Sequence, residues 1–132
     1  MSRSDPPGRE ALFDQWIARE YRRTGGFTAL IVLIEIGELT VAPLKSTYAH
    51  VIGDDIDWAQ LTGLLSGAGV AWDGVLIEAL SAPSGGPVPD GDARAALRAL
   101  ERRIAEDRLA INRGHFFDRW GRRMKVEEAQ PQ

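Results

Sequence analysis

Two adjacent stretches decide how this chain folds: Phe27-Thr-Ala-Leu-Ile-Val-Leu-Ile-Glu-Ile36, and the Gly37-Glu38-Leu39-Thr-Val-Ala-Pro-Leu44 that follows it. The first is apolar, rich in β-branched residues and bounded by glycine at both ends. A helix over 28–39 is the competing reading, but β-branched side chains and Gly37 both oppose it. Phe27 to Ile36 is therefore expected as a buried strand. Gly37-Glu38 fits a two-residue type II′ hairpin, with glycine at the first central position. Leu39 to Leu44 is the expected return strand. Pro43 lacks an amide proton, which places that strand at an edge.

Working outward, residues 1–8 are polar, carry Pro6-Pro7 and should be disordered. Arg9 to Arg23 reads as a helix: Leu12, Phe13, Trp16, Ile17 and Tyr21 recur at helical spacing, and Gly25-Gly26 stop it. On the other side, Lys45 to Asp55 is a connection that can include a short strand. Asp57 is placed to cap a helix through Trp58, Leu61, Leu64 and Leu65, with Gln60 completing a capping box and Gly67 and Gly69 ending it. Val75 to Leu80 is a second apolar strand, opened by an Asp73-Gly74 turn. Ser81 to Gly91 is a loop by composition. Ala93 to about Asn112 reads as the last long helix, and Gly114 breaks it. His115 to Arg123 is expected as a further amphipathic turn or two, Met124 to Val126 as a short strand, and residues 127–132 as a disordered tail. Leu33-Ile34-Glu35 and Leu76-Ile77-Glu78 form a faint internal echo.

The order α-β-β-α-β-α implies an α+β domain over 9–126, with a small antiparallel sheet of about three strands and helices on one face. At 132 residues the chain is long enough to bury one core of its own. It has no cysteine, which excludes disulfides, thiol nucleophiles and thiolate metal sites. The longest apolar run, Ala29 to Ile34, is far short of the roughly 20 residues of a membrane span. The N-terminus has no apolar signal region. These features suggest a soluble cytoplasmic protein, and the Ala, Arg, Gly and Asp enrichment suggests a bacterial source.

Charge is sorted along the sequence. Gly26 to Gly91 holds eight carboxylates and a single cation, Lys45, for a net −7. Asp92 to Lys125 holds ten cations and five acids, net +5. Such asymmetry bears on partners rather than on fold. It makes a non-catalytic protein-interaction or regulatory module the leading expectation, acting through a protein partner or a second copy of the chain. Arg119, Trp120, Arg122 and Arg123 form the basic side of that surface, and Asp54, Asp55 and Asp57 the acidic side.

Two other classes remain open on the sequence. Residues 113–125 mix cations with Phe116, Phe117 and Trp120, a pattern that can neutralise phosphate and stack on bases of nucleic acid. The same aromatics can instead plug the core, and the chain's overall acidity weighs against phosphate. A small enzyme would draw its acid or base from Glu35, Glu78, His50 or His115, in a pocket between sheet and long helix. No cofactor or metal is expected: the Asp54-Asp55-x-Asp57 knot fails the calcium-loop pattern, and Lys45-Ser46 lacks the glycine framework of a phosphate loop.

Overall fold

The computed structural model describes residues 10–38, 40–53 and 56–126. Its centre is β1 (Phe27–Ile36), paired on one side with β2 (Val41–Val51) and on the other with β3 (Gly74–Leu80). β4 (His115–Asp118) lies outside β3, giving a sheet of order β2-β1-β3-β4 with every neighbouring pair antiparallel. Three helices complete the α+β fold: α1 (Phe13–Thr24), α2 (Trp58–Leu65) and α3 (Asp90–Glu106).

The apolar run singled out in the sequence explains the layering. Phe27 through Ile34 are all buried, so both faces of β1 need cover, and the helices cannot all sit on one face as expected. Ala29, Ile31 and Leu33 pack with Phe13, Trp16 and Ile17 of α1 and with Leu61 and Leu65 of α2. Leu30, Val32 and Ile34 point the other way, against Leu97, Leu100 and Ile104 of α3. Each such aliphatic side chain contributes about 1.5–3 kcal/mol when fully buried. The Leu-Ile-Glu echo is not a duplication: Glu35 follows the α1/α2 face, whereas Glu78 lies opposite Leu30 on the α3 face.

The sheet has four strands rather than three because His115–Asp118 is a strand, not a helical turn. Gly114 makes this possible, since its Cα approaches Leu76 so closely that an added Cβ would lie 2.8 Å from the Leu76 side chain. Alternation then sends Phe116 to the α3 core and Phe117 to the α1 core, instead of one shared face. α3 stops at Glu106, short of Asn112. Asp107 leaves helical geometry, and its side chain accepts from the Leu109 amide to start a 3-10 turn over Arg108–Arg113.

β2 is longer than the sequence suggested and runs to Val51. Ile36 pairs with Val41, so the connection spans residues 37–40 rather than the two-residue turn expected at Gly37-Glu38. Leu33 pairs with Lys45 but Ile34 with Pro43, leaving Leu44 as the extra residue of a β-bulge. Pro43 is tolerated because β2 is an edge strand, as expected. The α2 capping box forms as read: Asp57 accepts from the Gln60 amide at 2.8 Å, and the Gln60 side chain accepts from the Asp57 amide. Leu39, Asp54, Asp55 and both terminal segments lie outside the described residues.

Candidate functional site

A cavity of about 650 Å³ lies between the α1/α2 face of the sheet and α2. Its floor is Ala29 and Ile31 of β1, Ile77 of β3, and Ala49 and Val51 of β2. Phe13 and Ile17 of α1 form one wall, while Ile56, Leu61, Leu64 and Leu65 form the other wall and the roof. Its side-chain hydrogen-bonding groups among the described residues are Thr47 and Gln60; Tyr48 borders it through the backbone of β2, its ring lying on the α3 face where Arg94 donates to the hydroxyl. Ligand sites typically occupy about 300–1,000 Å³ and combine apolar walls with a few polar groups. The cavity thus lies on the short-helix side, opposite the long helix where a pocket was expected from the sequence.

The roof is lightly attached. α2 has eight residues and would be marginal on its own. Leu61 and Leu65 enter the core, whereas Leu64 is 76% exposed although it lines the cavity. The N-terminal end of α2 is fixed more firmly. Asp14 of α1 accepts from the Trp58 amide at 2.6 Å, and the Trp58 indole donates to the Arg119 carbonyl at 3.0 Å. The Trp58 ring lies over Gly121, where a Cβ would sit 2.8 Å from the ring, and φ there is +76°.

His50 sits elsewhere, on the α3 face. The backbone register sets it directly opposite Thr28. Its Nδ1 is 2.9 Å from the Thr28 hydroxyl, and its Nε2 is 2.8 Å from the Asp90 carboxylate at the start of α3. A carboxylate only accepts, so Nε2 carries a proton. Thr28 Oγ1 accepts from the Val88 amide at 3.0 Å, and in the neutral ring its hydroxyl proton goes to Nδ1. The hydrogen bond from His50 holds the Asp90 carboxyl below its ordinary value. Hydroxyl, imidazole and carboxylate are thus in line, the components of an acyl-transfer triad. Thr28 is fully buried, however, so no substrate carbonyl reaches its oxygen. The array joins β1, β2, the Ser81–Pro89 loop and α3. Sequence reading named His50 but missed Thr28 and Asp90, because only the strand register brings the three together.

The other acid/base candidates are dispersed. Glu35 is exposed at the end of β1. Glu78 pairs with Arg103 of α3 at 3.2 Å. His115 stacks on Trp16 at 4.4 Å between ring centres, and its Nδ1 lies 3.1 Å from an Arg123 nitrogen. None of the four lines the cavity.

The basic segment forms the turn after β4, where its cations meet partners within the chain. Arg119 pairs with Asp73 at 2.9 Å and donates to the Trp72 carbonyl. Bonds from the Ile36 amide and then from Arg119 hold the Asp73 carboxyl below its ordinary value. Arg122 pairs with Asp118 at 2.9 Å and lies 5.0 Å from the Trp120 ring centre. Burial opposes ionisation of Asp118, but the Arg122 and Trp120 amides and the Arg122 guanidinium outweigh it and lower its pKa. Arg123 donates to the Glu10 carbonyl and lies over Phe117. Trp120 remains 67% exposed. Asp57 caps α2 next to Trp58 and so neighbours this turn.

Among the described residues no cluster of His, Asp and Glu is arranged to hold a metal ion, and no helix is long and apolar enough to cross a membrane. Comparisons with known protein families, with curated proteins and with solved structures give no match.

Proposed function

We propose that this chain is a non-catalytic binding module whose site is the cavity beneath α2, and that its ligand is a small, largely apolar molecule. The observation that carries this reading is the cavity itself: about 650 Å³ between an apolar sheet face and a short helix. The acid/base candidates lie outside it, which removes support from a catalytic reading. Asp73–Arg119 and Glu78–Arg103 join the acidic and basic segments within one chain, which weakens the case for a purely charge-driven interface.

The test uses the neutral fluorescent probe N-phenyl-1-naphthylamine with the folded protein. Saturable binding of one probe per chain supports the reading, and lack of binding refutes it. Gly63 lines the cavity and has open space around its missing side chain. Gly63 is exposed on the side of α2 away from Leu61 and Leu65, so Gly63→Leu crowds the rim of the cavity and should lower probe affinity about threefold. The unfolding midpoint should not fall, because a residue other than glycine favours helix by up to about 1 kcal/mol.

A second reading rests on the exposed Trp120 with Arg122 over its ring: a surface for a protein partner or a second copy, with single-stranded nucleic acid as the alternative occupant. Light-scattering chromatography at low and high salt tests self-association. A dimer that dissociates as salt rises supports it, and a monomer at both salts removes a second copy from consideration.

A further inference from the structure

The cavity continues into a narrower arm of about 240 Å³ that shares Ile31, Thr47, Leu64 and Leu65 with it. This arm ends at Lys45 and Ser46. Lys45 is the single cation between Gly26 and Gly91. It faces the arm because of the β-bulge. Val41 packs on the α3 side, and unbroken alternation from it would send residue 45 there too; the extra residue at Leu44 turns Lys45 to the α2 side, opposite Leu33. The groove is therefore apolar at Ala49 and Val51 and becomes polar at Thr47 and Lys45, while Ser46, opposite Val32, turns to the α3 face.

Lys45 is also available. Its ammonium carries three protons, and one goes to the Ala68 carbonyl at 2.6 Å, just beyond the end of α2. Among the described residues no carboxylate pairs with it. A lone cation at the end of an apolar groove complements one negative charge at the end of an apolar chain. A dianion fits less well, since one ammonium meets it within a sequence segment of net −7.

We infer that the cavity takes a long-chain carboxylate, with the chain under α2 and the carboxylate on Lys45. This rests on the cavity being the binding site. The apolar walls accept the chain, and the charge selects the head group and fixes which end enters first.

The experiment is calorimetric titration with two probes of equal chain length, dodecanoate and 1-dodecanol, below the micelle concentration and at about pH 8, where the carboxylate is ionised. The expected result is a preference of about fivefold for dodecanoate, the scale of an exposed ion pair. Lys45→Met should abolish the preference, with dodecanoate binding no more tightly than dodecanol, while Lys45→Arg should retain it. Equal binding of both probes by the unaltered protein, with no effect of Lys45→Met, overturns the head-group assignment and leaves the cavity standing. Failure of both probes to bind overturns the cavity reading as well.

Discussion

Replacing Thr28 by Val tests the junction that organises the α3 face. The two side chains have nearly the same shape, so packing against neighbouring residues is preserved while the hydroxyl is lost. Thr28 is fully buried, and its oxygen is the acceptor for the Val88 amide at 3.0 Å. Val88 is itself buried, so its N–H has no water to turn to. An amide left this way costs about 1–3 kcal/mol. His50 also loses a partner, but it is partly exposed and water replaces much of that bond. The sum is about 2 kcal/mol, or a fall of about 8 °C in Tm for a chain of this length. Urea and thermal unfolding followed by circular dichroism measure it, and amide exchange at Val88 should accelerate. Two controls separate the hydroxyl from packing. Thr28→Ser keeps the acceptor and loses one buried methyl, about 1 kcal/mol. His50→Ala keeps the Thr28–Val88 bond and should cost about 1 kcal/mol or less. If Thr28→Val unfolds within about 0.5 kcal/mol of the unaltered protein while Thr28→Ser is weaker, packing alone matters at this position and the reasoning is wrong.

Two further outcomes follow from other contacts. Gly121→Ala puts a Cβ against the Trp58 ring at a residue with φ of +76°, so it should destabilise by about 2 kcal/mol and shift the near-ultraviolet spectrum of the tryptophans. Asp73 has its carboxyl pKa lowered by folding, so the unfolded chain binds its proton first as pH falls. Its contribution is therefore complete above the ordinary carboxyl value of 3.8 and is lost as pH drops through the lower folded value. Asp73→Asn should flatten the acid limb of a urea-midpoint against pH curve, and an unchanged limb would assign acid sensitivity to other carboxylates such as Asp118.

Local signals were legible where a short stretch contains its own cause. The Asp57–Gln60 box and the apolar run from Phe27 each depend on neighbours within a few residues, and each appears where the sequence places it, whereas Gly74, read as part of a turn, is already the first residue of β3. His115–Asp118 was misread because a four-residue strand has too little length to display a period, and its aromatics fit a helix as well as a strand. The end of β2 was hidden for a related reason. Thr47, Tyr48 and His50 carry no continuous apolar pattern, because an edge strand buries little.

The sequence by itself determined the α+β class, the central strand and the segregation of charge, because composition and periodicity are properties of the chain alone. Tertiary structure alone decided which charges meet, as when Asp73 and Arg119 close across 46 positions of chain. It also decided that Thr28, His50 and Asp90 form one array, and that Lys45 turns toward the cavity. All three depend on strand register, and a single bulged residue reverses which face a side chain takes. Register follows from how two sheet faces fill against helices on either side, information that no local stretch of this chain contains.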